Sequence, residues 1–255
     1  KAIAEIGAPA ILKTRRFGYD GKGQFVIRSP EQCEEAWNTI GKSKNGDMVL
    51  IAEAFVDFKR ELSVIAARSA DDEMAVYPLT ENSHHEGILR YSIAPAPFVE
   101  KEISDQAITY IKELMHELGH VGILTLELFE TDNGLVANEM APRVHNSGHW
   151  TIEGCASSQF ENHLRAISGL PLGSTDAYSP TCMINIIGEK GDIKRILSLP
   201  YAQVHLYGKE EREGRKLGHI TVKADTFEEL KWRVQNIATF LPGNPLFEGS
   251  KGKTI

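Results

Sequence analysis

The sequence has few of the features that mark a secreted, membrane-spanning or nucleic-acid-binding protein. Its three cysteines are Cys33, Cys155 and Cys182, and cysteines so widely spaced form neither a disulfide framework nor a metal-ligand cluster. We therefore expect a reduced, cytoplasmic setting. No apolar run approaches the ~20 residues of a membrane span, so no membrane partner is expected. The formal net charge of −7 likewise argues against a nucleic-acid partner.

The sequence also lacks the G-x-x-x-x-G-K-[ST] loop found in many nucleotide-binding proteins. Its 42% hydrophobic and 25% charged residues are ordinary for a globular protein with a real core. A length of 255 residues allows one large domain or two modest ones. The chain opens at Lys1 as if within a helix, with no initiator methionine. We expect it to be a fragment of a longer protein.

Apolar and polar periodicities predict an α+β protein whose strands are mostly antiparallel. Two strands, 121–129 and 134–140, are expected to pair across a tight turn. Ser104 is predicted to cap a helix that Gly119 ends, and Thr226 to open a final capped helix. Further strands are predicted near 10–12, 25–27, 48–53, 60–67, 74–77, 183–187, 204–207 and 219–222, the third of them buried.

A glycine-rich segment follows directly on the first predicted strand, which ends at Lys13. Gly18, Gly21 and Gly23 lie within six residues and would let the backbone approach an anion closely, while Lys13 would neutralise its charge. The segment would then act as a flap over phosphate groups. An ordinary surface hairpin with a solvated basic tip explains the same residues, so both interpretations stay open.

A second group combines the segment Glu53–Val56 with the carboxylate of Glu61. Backbone N–H and C=O groups at a strand end can bind an adenine edge, and a nearby carboxylate can accept hydrogen bonds from ribose hydroxyls. Two solvated acids in an exposed loop are the alternative. The segment Asn82–His85 adds two histidines, and lone histidines are more often structural than catalytic.

Two acids and an amide are predicted to face one another on the paired strands. Glu127 lies inside the apolar run 123–129, where a carboxylate is costly unless it is paired or binds a metal. Asn138 and Glu139 lie in the next strand. Hard oxygen ligands suit Mg²⁺, which binds one or two carboxylates together with substrate phosphates. Pairing of the acids with lysine or arginine is the alternative.

Two further segments are rich in basic and polar groups. The loop 142–150 holds a fixed cation, two histidines, an amide and a hydroxyl, and its Arg143 could bind a bicarbonate or phosphoryl oxygen bidentately. Packing explains His149 and Trp150 as well as function does. The segment 209–219 places basic residues around a glycine turn, which suits a phosphate monoester but also a solvated hairpin.

The order of these segments along the chain resembles that of the ATP-grasp superfamily. Three stretches are similar to the N5-carboxyaminoimidazole ribonucleotide synthetase family: Gly18–Gln24, Asn138–His149 and Tyr207–His219. The second stretch reads N-E-M-A-P-R-V-H-N-S-G-H. It is the most specific of the three, since biotin-type carboxylases and peptide ligases are not expected to carry it. The resemblance covers nearly the whole chain.

The resemblance implies an ATP-grasp fold, in which two α+β lobes grip ATP, followed by a small C-terminal β-rich domain. We expect the ATP-grasp domain at 1–172, with a flexible small lobe at about 9–55, and the C-terminal domain at 173–255. The Pro-, Ser-, Gly- and Thr-rich segment 171–180 suits that boundary. Members of the family carry an N-terminal α/β domain, which this chain is expected to lack.

The resemblance also implies roles for individual residues. Lys13, Arg143 and His145 would be catalytic, and Glu127 and Glu139 would hold Mg²⁺. The ATP site would be formed by Lys13, Gly18, Tyr19, Asp20, Gly21, Lys22, Gly23, Gln24, Glu53, Ala54, Phe55, Val56, Glu61, His84, Asn138 and Glu139. The substrate site would be formed by Tyr19, Arg143, His145, Asn146, Ser147, Lys209, Arg215 and Lys216. The last three would bind a ribotide 5′-phosphate, although the spacing at Lys209 matches the family only roughly.

The implied activity is ATP-dependent carboxylation of aminoimidazole ribonucleotide by bicarbonate, through carboxyphosphate, in purine biosynthesis. Such enzymes are ligases that form homodimers, and the partners implied here are small molecules. Two alternatives stay open. One is another ribotide-directed ATP-grasp enzyme, of the formate-dependent glycinamide ribonucleotide transformylase type; the other is a nucleotide-binding module without catalytic activity. The N-S-G-H string argues against the first, and the retained metal-ligand set argues against the second.

Overall fold

The computed structural model of the protein describes residues 2–15, 23–43, 46–47 and 49–242. The helices in these ranges are α1 (Ala2–Ile6), α2 (Cys33–Ile40), α3 (Lys101–Glu117), α4 (Thr151–Gly154), α5 (Gln159–Ile167), α6 (Ile193–Leu197) and α7 (Phe227–Ala238). The strands are β1 (Ala10–Thr14), β2 (Gln24–Ile27), β3 (Lys42–Ser43), β4 (Gly46–Asp47), β5 (Leu50–Ala54), β6 (Arg60–Arg68), β7 (Met74–Val76), β8 (Thr80–His85), β9 (Ile88–Ala94), β10 (Gly122–Thr131), β11 (Gly134–Ala141), β12 (Thr181–Ile187), β13 (Ala202–Leu206) and β14 (Lys216–Lys223). No described helix combines the length and the apolarity that a membrane crossing requires.

One large sheet organises most of the described chain. Eight of its nine described strands run in the order β11-β10-β6-β8-β9-β12-β14-β13, and the ninth, β7, pairs with β6. The registered pairs in it are antiparallel, which confirms the expected α+β class with mostly antiparallel strands. Because β12 pairs with β9, the C-terminal strands extend the same sheet.

The chain divides into two compact units. The first unit comprises Lys1–Asp57 and Glu86–Ile88, and the second unit comprises Phe58–His85 and Leu89–Ile255. This division does not test the predicted boundary between residues 172 and 173, which stays a prediction.

The first unit is built on a three-stranded antiparallel sheet in the order β2-β1-β5. The buried strand predicted at 48–53 corresponds to β5, which begins at Leu50. Ile51 in its middle is 44% exposed, so the expected burial is wrong. The physical reason is that side chains alternate between the two faces of a strand. Ile51, between the half-buried Leu50 and Ala52, lies on the face of β5 that the described part of the first unit leaves uncovered.

Three clusters of buried apolar side chains form the core of the second unit. In one of them, Ala107, Ile111 and Met115 follow each other at i, i+4 and i+8 along α3 and pack against β6 and β10. In another, α7 packs against β12 and β14. The third surrounds Trp150, which is fully buried and donates its indole N–H to the Thr80 hydroxyl at 3.0 Å.

Helix ends follow the predicted capping residues in two places and depart from them in a third. Thr226 accepts the N–H of Glu229 at 3.1 Å at the start of α7, and Gly119, with a φ of 56°, follows α3. Both predictions are confirmed. The predicted start at Ser104 is wrong, because α3 begins directly after Glu100, which is extended. The N–H of Ser104 already donates to the Glu100 carbonyl, which places Ser104 inside the first turn.

Candidate functional site

The β10–β11 hairpin brings two carboxylates opposite each other. Glu127 of β10 pairs in register with Glu139 of β11, and the register shifts directly after Glu127. His145 brings its ring to the same place from the loop after β11. One ligand atom from each of the three side chains lies within 4.8 Å of the others. The expectation that the two acids face each other across paired strands is confirmed.

His145 is a neutral imidazole at neutral pH. Burial lowers its pKa to about 3, and the cationic charges of Arg143 and Lys216 add to that effect. Its Nδ1 accepts the N–H of Ser147 and lies 2.8 Å from the Ser147 hydroxyl. The ring proton is therefore on Nε2, 3.3 Å from a Glu127 carboxylate oxygen. His145 thus presents an N–H donor to Glu127 without adding a charge.

The carboxylates of Glu127 and Glu139 suit a hard divalent cation. Mg²⁺ takes oxygen ligands, commonly one or two carboxylates completed by water and substrate phosphates. An imidazole suits Zn²⁺ and other transition metals, whereas Mg²⁺ takes oxygen ligands, so His145 fits as a neighbour of a Mg²⁺ ion. The donor set therefore fits Mg²⁺, and the assignment of Glu127 and Glu139 as its ligands stays a prediction.

A third acid and a second histidine lie beside this pair. His84 Nδ1 is 2.7 Å from a carboxylate oxygen of Glu61. Burial opposes the charged form of His84, but the carboxylate of Glu61, followed by those of Glu127 and Glu139, raises its pKa. Strand order explains the arrangement, since β6 carries Glu61 and lies between β10 and β8. The structure thus gathers five of the residues predicted from sequence, namely Glu61, His84, Glu127, Glu139 and His145.

Lys13 and Glu53 meet within the first unit. Their side chains form an ion pair at 2.6 Å between β1 and β5, where Glu53 lies opposite Ile11. After Glu53, Ala54 and Phe55 are exposed and the next residue is half-buried. Glu53 is therefore not the solvated loop acid that the alternative interpretation assumed. Glu61, paired with His84 as described above, is not one either.

Most of the predicted flap lies outside the described residues, namely Gly18, Tyr19, Asp20, Gly21 and Lys22. On its far side, Gly23 has a φ of 79°, and its carbonyl accepts the N–H of Thr14 at 2.7 Å. Gln24 then begins β2, in register with Lys13. The residues on either side of the predicted flap thus belong to two neighbouring antiparallel strands.

Cationic residues from two separate segments act on the histidines of the 142–150 loop. After burial, the charge of Lys216 contributes to the lowered pKa of both His145 and His149, the latter to about 4. Arg143 is exposed and donates to the Val144 carbonyl at 3.0 Å. Lys216 begins β14, so the loop and that strand lie together although they are far apart in sequence.

The other predicted phosphate ligands lie in the segment before β14. Arg215 is half-buried and donates to the Glu210 carbonyl at 3.3 Å. Lys209 is exposed, and its ammonium lies 5.5 Å from the centre of the Tyr207 ring. Their role in binding a ribotide phosphate stays a prediction.

Comparison with known proteins identifies the fold. The family model of the ATP-grasp domain matches residues 1–160. The chain belongs to the ATP-grasp family. Residues 181–233 of this ATP-grasp chain match the model of the phosphoribosylaminoimidazole carboxylase C-terminal domain. The predicted fold, an ATP-grasp domain followed by a small C-terminal domain, is thereby confirmed.

Individual relatives are similar to the ATP-grasp chain over nearly all of its length. It is 47% identical over 243 residues to the N5-carboxyaminoimidazole ribonucleotide synthase of Vibrio cholerae, covering 94% of this chain and 63% of the relative. The synthetase of Thermus thermophilus has a TM-score of 0.86 at 45% identity, with 94% and 64% of the two chains covered.

The Aspergillus clavatus N5-carboxyaminoimidazole synthase, solved with ADP and 5-aminoimidazole ribonucleotide, has a TM-score of 0.84 at 34% identity, with 93% and 63% covered. The resemblance predicted from the sequence is confirmed. The chain spans less than two thirds of the length of these relatives.

Three more polar residues that were predicted to belong to the site differ in burial and in hydrogen bonding. Ser147 is fully buried and holds the His145 ring as described above. Asn146 has a buried Nδ2 that meets no hydrogen-bond partner within the described ranges. Asn138 is half-buried in β11, beside Glu139. The structure thus brings part of the predicted substrate set to the loop that carries His145.

The sequence reasoning missed two polar groups, one fully buried and one partly buried. One is Gln159, which is fully buried at the start of α5. The other joins Glu153 to His205 at 2.6 Å, with the His205 ring stacked 4.4 Å from that of His219. A signal for Gln159 does exist, because the buried face of α5 carries two amides at i and i+3, and buried amides require hydrogen-bond partners.

Proposed function

We propose that this chain supplies the ATP-binding and carboxylating part of an N5-carboxyaminoimidazole ribonucleotide synthase. The reaction would join bicarbonate to aminoimidazole ribonucleotide and convert ATP to ADP and phosphate. The observation that carries the proposal is the gathering of Glu127 and Glu139 with a neutral His145, to which the cations Arg143 and Lys216 are close enough to lower its pKa. Relatives of the same name at 47% and 45% identity support it.

ATP would be bound by the residues that the resemblance assigns to the nucleotide. The set comprises Lys13, the flap from Gly18 to Gln24, Glu53–Val56, Glu61, His84, Asn138 and Glu139. Relatives at 35% and 43% identity have been solved with ATP and with ADP, which supports a nucleotide ligand. Glu127 and Glu139 would hold Mg²⁺, which when bound neutralises phosphate charge during phosphoryl transfer. Lys13 would contribute a further positive charge.

Arg143 would bind bicarbonate in the first step of the reaction and carboxyphosphate in the second. A bicarbonate oxygen would attack the γ-phosphorus as the bond to ADP breaks, giving carboxyphosphate. The 5-amino group would then form a C–N bond to the carbonyl carbon while the C–O bond to phosphate breaks, and the departing phosphate would take the amine proton. A bidentate guanidinium suits both anions. Exclusion of water would protect carboxyphosphate from hydrolysis.

The proposal is tested by ADP release from the intact protein in bicarbonate buffer, with and without aminoimidazole ribonucleotide. We expect release to rise sharply with the ribotide. Arg143→Ala should lower the ribotide-dependent rate by about 100-fold or more, because a preorganised charge opposite the reacting anion is lost. Arg195→Ala, which removes an arginine from outside the predicted site, is the matched control.

Two outcomes would count against the proposal. If Arg143→Ala lowers the ribotide-dependent rate by less than about tenfold, Arg143 has no central role, because the loss of one preorganised donor costs about 100-fold or more. If the rate of ADP release does not change when the ribotide is added, or if release requires formate in place of bicarbonate, the substrate assignment is wrong. The homodimer implied by the resemblance stays a prediction, and sedimentation equilibrium of the intact protein would test it.

A further inference from the structure

Gln159 is a fully buried amide at the first position of α5. The helix is capped just before it by Ser158, whose hydroxyl accepts the N–H of Glu161 at 3.2 Å. The same face of α5 buries Asn162 and Ala166. A buried amide is costly unless its donors and acceptor are satisfied, so the partners of Gln159 reveal what it holds.

The Gln159 carboxamide binds the backbone of His145 from both sides. Its Oε1 accepts the His145 N–H at 2.9 Å, and its Nε2 donates to the His145 carbonyl at 2.7 Å. Nε2 also lies 3.0 Å from Nδ1 of His149. Burial lowers the pKa of His149 to about 4, so this ring is neutral and Nδ1 accepts the bond. One side chain thus fixes two residues of the loop.

The surrounding residues leave the carboxamide little freedom. The backbone N–H of Gln159 donates to the Thr151 hydroxyl at 3.0 Å, and that hydroxyl donates to the Gly148 carbonyl at 2.6 Å. A Cβ added to Gly148 would lie 2.6 Å from Gln159 Oε1 and 2.7 Å from a methyl of Ile65. The loop therefore closes tightly around the amide, and a glycine at position 148 makes that approach possible.

We propose that Gln159 is a positioning residue of the site. By fixing the backbone of His145 it aims the imidazole at Glu127 and holds in place the loop that also carries Arg143. Groups held in productive geometry raise the rate of a step, and a displacement of about 1 Å can cost about 100-fold. The kinetic consequence rests on the proposed function, whereas the conformational consequence for His145 does not.

Asn162 supplies a matched control on the same helix. It is also fully buried, and its carboxamide binds another loop residue in the same two-sided way. Oδ1 accepts the N–H of Gly173 at 2.8 Å, and Nδ2 donates to the Gly173 carbonyl at 3.1 Å. Nδ2 also donates to the Tyr77 hydroxyl at 2.9 Å. Leucine at either position removes a comparable set of hydrogen bonds, but of the two carboxamides it is that of Gln159 that binds residues of the 142–150 loop.

The first experiment compares Gln159→Leu with Asn162→Leu in the intact protein. Both variants should lower the thermal unfolding midpoint by a similar amount. Gln159→Leu should lower kcat for ribotide-dependent ADP release by about 10- to 100-fold while the KM for ATP stays within about twofold, because the loop it frees is not predicted to bind the adenine or ribose. Asn162→Leu should leave kcat unchanged. Equal kcat values in the two variants would overturn the positioning role.

The second experiment follows the His145 ring itself by long-range ¹H–¹⁵N NMR of the imidazole nitrogens. In the unsubstituted protein and in Asn162→Leu, the pattern should show protonation at Nε2. In Gln159→Leu the His145 signals should shift or broaden, and unchanged signals would contradict the proposal. If the rate of ADP release does not depend on the ribotide, the proposed function is wrong. The NMR spectrum still tests the positioning role of Gln159, because it does not depend on the reaction. Should Gln159→Leu not fold, Gln159→Glu is judged by the same criteria, since it keeps the acceptor for the His145 N–H and loses the two donated bonds.

Discussion

At the scale of single residues, buried histidines make stability depend on pH. His219 is 2% exposed, and burial, followed by the charges of His149 and His205, lowers its pKa to about 3. In the unfolded chain its pKa is about 6.5. Between these values the unfolded state binds a proton that the folded state does not, so the free energy of unfolding falls as the pH drops from about 6.5 towards 3.

We predict that His219→Gln flattens this dependence. Urea unfolding measured from pH 7 to pH 5 should show a smaller loss of stability in the variant than in the unsubstituted protein. The comparison cancels the opposite contribution of His84, whose pKa is raised. His116→Gln, a histidine substitution at an exposed position at the end of α3, is the control for the change of residue type. Parallel pH curves for His219→Gln and the unsubstituted protein would show that the prediction is wrong.

At the scale of elements, apolar runs and helix caps predicted strands and helices correctly, whereas a partly buried strand of polar residues was not predicted. The paired strands β10 and β11 have clear apolar runs, and α7 begins at the capping residue Thr226. By contrast, β8 reads Thr-Glu-Asn-Ser-His-His and was not predicted as a strand, because it shows no apolar alternation. In the structure it lies between β6 and β9 in the large sheet, where polar side chains need partners.

Asn82, in the middle of β8, forms hydrogen bonds to hydroxyl groups of both neighbouring strands. It is 6% exposed, its Nδ2 donates to the Ser63 hydroxyl at 2.6 Å, and its Oδ1 accepts the Ser92 hydroxyl at 2.8 Å. Asn82→Ala leaves both hydroxyls buried without this partner, so we expect a loss of about 2–3 kcal/mol in the free energy of unfolding. Urea denaturation measures it. Asn133→Ala, in the exposed turn of the β10–β11 hairpin, should change stability by less than about 0.5 kcal/mol; similar losses in both variants would contradict the assigned role of β8.

At the scale of the whole molecule, the order of motifs predicted the fold, but contacts between distant segments could not be read from it. The alignment of Glu127 with Glu139 follows from one hairpin and was predicted. The action of Lys216 on His145 depends on β12 and β14 joining the sheet beyond β9. Pairings between segments far apart in sequence leave no local periodicity, so the proximity of Lys216 to the 142–150 loop was not predicted. Gln159 was missed although the two amides of α5 gave a local signal for it.

The distribution of buried apolar side chains predicts which part of the chain folds independently. All three core clusters belong to the second unit. In the described part of the first unit, the buried apolar residues are Ala10, Ile27 and Ala36, too few to offset the conformational entropy of ordering that segment. We therefore expect a fragment of residues 58–255 to unfold cooperatively, and a fragment of residues 1–57 to show no cooperative transition by circular dichroism.

The larger fragment also tests whether the carboxylate pair is built by the second unit alone. Glu127, Glu139 and His145 all lie in it, so the fragment should bind Mn²⁺, used as a paramagnetic substitute for Mg²⁺, with the affinity of the parent chain. Glu127→Gln in the same fragment should weaken that binding, because one of two carboxylate ligands is lost. The control is Glu113→Gln, an exposed position on α3. A fragment that unfolds cooperatively but binds no Mn²⁺ would show that the carboxylate pair of the second unit is not by itself a metal site.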